Sequence, residues 1–175
     1  MYAIDAPAMN SLSYRDALPE DAHSIARLLI ETKEISLPQT ITEHDRDFDF
    51  WRDRWVRYIR DGSTAQMARG DGCVILAECA GDLVAFAAYH HTTRFDCHAE
   101  LQSMYVLPSH QNRGIGRELL RLIVNRLQAD GSQSLCVGYS PQNPYRRFYL
   151  KHGAVEINPH WAAWRPLRQI GSSTD

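Results

Sequence analysis

The chain has 175 residues with 19 basic and 21 acidic side chains, a formal charge of −2. That length supports one domain able to bury roughly 70% of its extended-chain surface, and the near-neutral balance excludes a whole-protein field that recruits nucleic acid or an anionic membrane. No apolar run approaches the ~18 residues that a membrane span needs, and the opening MYAIDAPAMN lacks the basic stretch of a secretory signal, so a cytoplasmic protein is expected.

Residues 1–10 and 170–175 read as flexible ends around a domain spanning 11–169. A first strand is expected near SLSYRDA, then a helix from about Pro19, where proline suits the first turn and Glu20 and Asp21 favour the positive end of the dipole. KEISLPQTITE reads as a polar loop. Phe48, Trp51, Trp55, Tyr58 and Ile59 then recur at helical steps up to Gly62, a stripe that fits a packed core and can also wall a cleft.

From residue 73 the period shortens. CVILAEC and LVAFAAYHH, separated by AGD, read as a β-hairpin, with HAELQSMYV as a third strand. A helix over 115–129, a strand at SLCVGY, a short helix in NPYRRFYLKHG, and one or two closing strands around Trp161, Trp164 and Leu167 complete the chain. This order is that of a mixed α/β sheet rather than a strict βαβ repeat. Cys73, Cys79, Cys97 and Cys136 form no C-x-x-C pair and read as buried free thiols. His90-His91 and Cys97-His98 do not read as a metal site, because adjacent strand residues face opposite ways.

The stretch PSHQNRGIGRELL carries the chemistry. Gly114 and Gly116 permit a sharp turn and close approach of backbone amides, immediately before the apolar-periodic helix. The amino end of a helix carries roughly +0.5 charge and unsatisfied donors, and Arg113 and Arg117 add full charges beside it. A phosphate or pyrophosphate fits such a place, as does a plain strand-to-helix turn. A nucleotide P-loop does not fit, because no Lys–Ser/Thr pair follows, and a dinucleotide fingerprint lacks its third glycine at Leu119.

The segment Gln111-Asn112-Arg113-Gly114-Ile115-Gly116 resembles the central Q/R-x-x-G-x-G/A motif of the GNAT acyltransferase superfamily, here preceded by a strand ending Met104-Tyr105-Val106. Asn143, Phe148-Tyr149 and Gly153 are similar to that family's second segment. The resemblance covers about residues 11–168 and implies a single-domain GNAT fold: a mixed, mostly antiparallel sheet flanked by helices, with splayed central strands. It implies acetyl-CoA as cosubstrate, with the pyrophosphate cradled by the amides of 111–116 and Arg117. The pantetheine arm is then met by the strand ending Met104-Tyr105-Val106, through backbone groups mapped onto Met104 and Val106, and by Asn143.

Acetyl transfer to an amine needs two protons moved. An alkyl amine of pKa ~10.4 is neutral in only about one molecule in ~2,500 at pH 7, a deficit of ~4.6 kcal/mol. By the resemblance, Tyr149 is the proton donor to the departing thiolate and Glu100 the base for the amine. Tyr149 is equally able to pack against Phe148, and Glu100 to pair with a neighbouring Arg or His. Alternation places Glu100, Gln102, Met104 and Val106 on one face unless a bulge breaks the count. Two departures from the family pattern stand out: Tyr145 where a small residue is usual, and Ala154 after Gly153.

The expected activity is transfer to the primary amine of a small molecule. A protein amino-terminal or lysine acceptor, and an acyl-CoA-binding sensor without transfer, are the alternatives. A homodimer is compatible with the family. The acidic group Glu43, Asp45, Asp47 and Asp49 either draws a cationic acceptor or simply starts a helix.

Overall fold

The computed structural model describes residues 11–62 and 72–168; the two ends read above as flexible lie outside that range. In chain order the elements are β1 (Leu12–Asp16), α1 (Ala22–Ser36), α2 (Phe48–Asp61), β2 (Cys73–Cys79), β3 (Asp82–His91), β4 (Ala99–Val106), α3 (Ile115–Ala129), β5 (Leu135–Gly138), α4 (Arg146–Lys151), β6 (Val155–Asn158) and β7 (Trp161–Trp164). The strands form one sheet in the order β1-β2-β3-β4-β5-β7-β6, antiparallel except where β4 meets β5.

Local chemistry explains the helices. Pro19–Asp21 form a 3-10 turn in which Asp21 accepts from the Leu18 amide at 2.7 Å and from both Nη atoms of Arg15, setting the angle at which α1 leaves. Lys33, Glu34, Ile35 and Ser36 continue α1, so it consumes the first part of the stretch expected to be loop. α2 starts at Asp47, whose carboxylate accepts from the Phe50 amide at 2.9 Å. Its aromatic stripe then buries Trp55 and Tyr58.

The sheet has a core on each face. α1 and α2 pack Ile25, Leu29, Trp55 and Tyr58 against Leu76, Phe86 and Ala88. α3 lays Ile115, Leu119, Leu120, Ile123, Val124 and Leu127 against Ile75, Ala87 and Leu101 on the other face, each burial contributing ~1.5–3 kcal/mol. Of the cysteines, Cys97 and Cys136 are buried, whereas Cys73 and Cys79 are half-buried; all four are free thiols.

Two irregularities of β4 position the site. Ser103 pairs with Ala88 and Leu101 with Tyr89, so Gln102 is an extra residue, a β-bulge. Alternation restarts there. Met104 and Val106 join Ala99 and Leu101 on the α3 face, while Tyr105 packs with Phe86 on the α1/α2 face. Glu100 shares the latter side with its cross-strand partner His90. The single face expected for Glu100, Gln102, Met104 and Val106 therefore does not form.

The second irregularity is a parting of strands. β5 pairs with β4 only over Ala99–Leu101 against Leu135–Val137, while its other edge pairs with β7 along its whole length. From Gln102 to Val106, β4 has no strand on that side among the described residues. Because Leu107 donates its amide to Val84 on β3, alternation turns the backbone groups of Met104 and Val106 toward the gap and those of Tyr105 toward β3.

Candidate active site

At the far end of the gap stands the amino terminus of α3. Gly114 holds φ 79 and Asn112 φ 59, so the chain reverses through two left-handed positions before the helix begins. The first helical bond runs from the Glu118 amide to the Gly114 carbonyl at 3.0 Å. The amides of Ile115, Gly116 and Arg117 precede it, and no side chain caps them. A Cβ at Gly114 would meet nothing within 4 Å, whereas one at Gly116 would lie 3.5 Å from the Phe148 ring and 3.8 Å from Met104 Sδ. The acid of this first turn, Glu118, is taken by Arg121 at 2.8 Å. Arg113 and Arg117 form no ion pair among the described residues, so the cradle is net positive.

Gln111 fastens the loop. Its Nε2 donates to the Val106 carbonyl at 3.0 Å and reaches Ser36 Oγ at 3.5 Å, while its Oε1 accepts from the Tyr145 hydroxyl at 3.3 Å. Tyr145, the residue that departs from the family pattern, thus ties the approach to α4 onto the α3 loop. Asn143 accepts the Tyr145 amide on Oδ1 at 2.8 Å, an Asx turn that leads into α4.

Tyr149 lies on the α3 face of the sheet. Its ring stacks on Tyr139 at 6.2 Å and meets Phe148 and Trp164 edge-on. Burial pushes its phenol up to about 12, so the hydroxyl is protonated throughout the physiological range, and among the described residues it has no hydrogen-bond partner. The ring of Tyr105 stacks on Phe86 on the opposite face at 5.6 Å, and burial, followed by the proximity of Tyr149, raises its phenol as well.

Glu100 lies on the α1/α2 face and is 9% exposed. Arg94 Nε donates to its Oε2 at 3.0 Å, and His90 Nε2 stands 3.8 Å from the same oxygen. His90 Nδ1 and the Tyr58 hydroxyl share a 3.2 Å hydrogen bond. Burial raises the Glu100 carboxyl above its usual range, opposed by the charge and hydrogen bond of Arg94. The pairing with a neighbouring Arg or His, anticipated for a strand-end carboxylate, is therefore present.

Arg94 itself had no signal in the sequence. It opens a 3-10 turn, Arg94–Asp96, in which Phe95 (φ 53, ψ 32) and Asp96 (φ 54) are both left-handed. For a residue such as Phe this costs ~1–2 kcal/mol. The turn is held from β7: the Phe95 ring packs on Trp161 at 5.2 Å, and Arg165 donates to the Phe95 carbonyl and to Cys97 Sγ. The Arg94 guanidinium lies 4.8 Å above the Trp161 indole.

The histidines and acids flagged in the sequence diverge. His91 bonds Asp130 at 3.0 Å, His98 Nδ1 accepts from the Gln133 amide at 3.0 Å, and His90 turns to the opposite face. Asp47 caps α2, Glu43 pairs with Arg46 and Asp49 with Arg52. Burial alone would raise Asp45, but hydrogen bonds from Lys33 at 2.5 Å and from Thr42 outweigh it and hold the carboxyl at about 2.

Among the described residues, no helix is long and apolar enough to cross a membrane. The profile of the Acetyltransferase (GNAT) family matches residues 33–154. No curated protein sequence matches significantly. Among solved structures, the PaiA N-acetyltransferase from Thermoplasma acidophilum, solved in complex with coenzyme A, superposes with a TM-score of 0.74 at 17% identity, covering 89% of this chain and 99% of that one. An acetyltransferase of the GNAT family from Staphylococcus aureus gives 0.68 at 14% identity over 90% and 100% of the two chains. A ribosomal-protein-alanine N-acetyltransferase from Brucella melitensis gives 0.64 at 20% over 87% and 99%. At these identities the likeness is one of fold.

Proposed function

Because the chain belongs to the GNAT acetyltransferase family, we propose that it is an acetyl-CoA-dependent N-acetyltransferase acting on the primary amine of a small molecule. The observation that carries this reading is the parting of β4 from β5. The uncapped amides of α3 lie at one end of the gap; a protonated phenol lies on one face of the sheet and a buried carboxylate on the other, in the paired stretch just before the strands part.

In this reading the pyrophosphate of coenzyme A rests on the amides of residues 112–116 with Arg117 nearby, where donors and dipole act together; the Gln111 amide, expected to join them, is instead bonded to the Pro108 carbonyl at 3.3 Å. The pantetheine arm takes the place of the missing strand, bonding the backbone of Met104 and Val106, with the Asn143 amide alongside. The thioester then crosses the sheet, with sulfur on the Tyr149 side and the acyl carbon open to the Glu100 side.

The acceptor arrives as an ammonium ion. Glu100 takes one proton and exposes the nitrogen lone pair, which attacks the acyl carbon to form the C–N bond. Collapse of the tetrahedral adduct breaks the C–S bond. The sulfur leaves as a thiolate held by a hydrogen bond from the Tyr149 hydroxyl, and it takes up the second proton shed by nitrogen. A phenol at about 12 is too weak an acid to give its proton fully to a thiolate whose conjugate acid has a pKa of ~8.5. Tyr149 therefore acts chiefly as a charge-stabilising donor.

The test is thiol release from acetyl-CoA across a panel of small amines and peptide amino termini. Turnover on small amines supports the proposal. Turnover confined to peptides, or acetyl-CoA binding without turnover on any amine, refutes it in favour of a protein acceptor or a sensor.

A further inference from the structure

The side of the gap that faces Glu100 has an occupant class written into it. α1 and α2 pack over β2, β3 and β4; beside them, Cys136 and Ala163 on this face are covered by Cys97 and Trp161. The Trp161 indole lies flat on Gly138, the last residue of β5, where a Cβ would approach its ring to 3.0 Å. This shelf therefore begins where β4 and β5 part company.

Arg94 hangs over the shelf, and its guanidinium is fixed at two points. Nε is bonded to buried Glu100 and the face is stacked on Trp161, while the strained turn beneath it is clamped by Arg165. Both Nη atoms lack a hydrogen-bond partner among the described residues, and the side chain is 53% exposed. A guanidinium held rigidly with its outer fork open is pre-organised for a planar anion with two oxygens.

From this arrangement we infer that the acceptor is an amine bearing a carboxylate close to its nitrogen, an α-amino acid in its simplest form, with the carboxylate on the outer fork of Arg94 and the amine at Glu100. The inference rests on the N-acetyltransferase reading and narrows it. Base and anion site are the two ends of one ion pair, so only a few atoms can separate amine from carboxylate. A protein amino terminus, whose own carboxyl is consumed in a peptide bond, lacks the group that Arg94 holds. The geometry also couples binding to chemistry: an acceptor carboxylate shares the charge of Arg94, weakens its hold on Glu100, and leaves the base stronger when substrate is present.

The experiment measures thiol release from acetyl-CoA with the common α-amino acids, each paired with its α-carboxamide and its decarboxylated amine, alongside acetyl-CoA binding by calorimetry. In the wild type the best acceptors carry the carboxylate, and its loss lowers kcat/KM at least tenfold, as expected for a charge-assisted pair. In Arg94→Gln the ratio between acid and amide falls to within threefold, and Arg94→Lys, which keeps the charge but not the fork, lies between. Superior turnover of amines without a carboxylate overturns the inference, as does a ratio that survives Arg94→Gln. Intact acetyl-CoA binding without turnover of either series overturns it too. Failure to bind acetyl-CoA sinks instead the N-acetyltransferase reading beneath it.

Discussion

Replacing Tyr149 by Phe removes one oxygen from the proposed leaving-group site and little else. The ring contacts with Tyr139, Phe148 and Trp164 are all carbon faces and edges, and the hydroxyl bonds no described residue, so the fold loses no hydrogen bond. The catalytic cost follows from the raised phenol. Full proton transfer from a group at about 12 to a thiolate of conjugate pKa ~8.5 runs uphill by ~4.8 kcal/mol, which leaves hydrogen bonding to the developing charge as the main contribution. Such a bond is worth ~1.5–3 kcal/mol, so kcat should fall by roughly 10- to 150-fold. The KM for acetyl-CoA and the melting temperature should barely move. A continuous thiol-release assay gives both constants. Unchanged kcat would refute the role, and an equal loss in acetyl-CoA affinity would recast Tyr149 as a packing residue.

Glu100→Gln should lower kcat/KM by ~10²–10⁴, and the acid limb of the wild-type pH–rate profile should lie above the ordinary 4.5, because burial raises this carboxyl; a limb at or below 4.5 would remove Glu100 as the base. Asp45 offers a stability test. Its folded pKa is depressed from 3.8 to about 2, so its stabilisation is fully present above pH 3.8 and is lost as pH falls toward 2. With solvent screening discounted this amounts to ~1 kcal/mol, and Asp45→Asn should lose it at pH 7 but not at pH 2 in urea titrations. Asp47→Ala should cost α2 its cap, ~1 kcal/mol in the same assay.

Much of this architecture was legible because it is local. The α2 stripe, the glycine before α3 and the glycines that end α2 and α4 each act within a turn of their own position, and all fall where periodicity puts them. The bulge at Gln102 was only hinted at: the polar–apolar alternation of Glu-Leu-Gln-Ser-Met breaks at Gln-Ser, but the extra residue exists only relative to β3. The partnership of Arg94, six residues from Glu100 in sequence, was not legible. It depends on a strained turn stabilised by Trp161 and Arg165 from the far end of the chain. Tyr145 read as a departure from a pattern, yet in three dimensions it secures Gln111.

The parting of β4 and β5 matters only if coenzyme A fills it, and calorimetric titration with acetyl-CoA of the wild type and of Gly114→Glu tests that most directly. A Cβ at Gly114 meets no neighbour within 4 Å, although its left-handed backbone adds strain of ~1–2 kcal/mol, and the substitution puts bulk and negative charge into the proposed phosphate loop. Micromolar binding by the wild type and at least a hundredfold loss in the variant are expected, with both proteins folded by circular dichroism. Absence of binding by the folded wild type, or equal affinity in the two proteins, would contradict it.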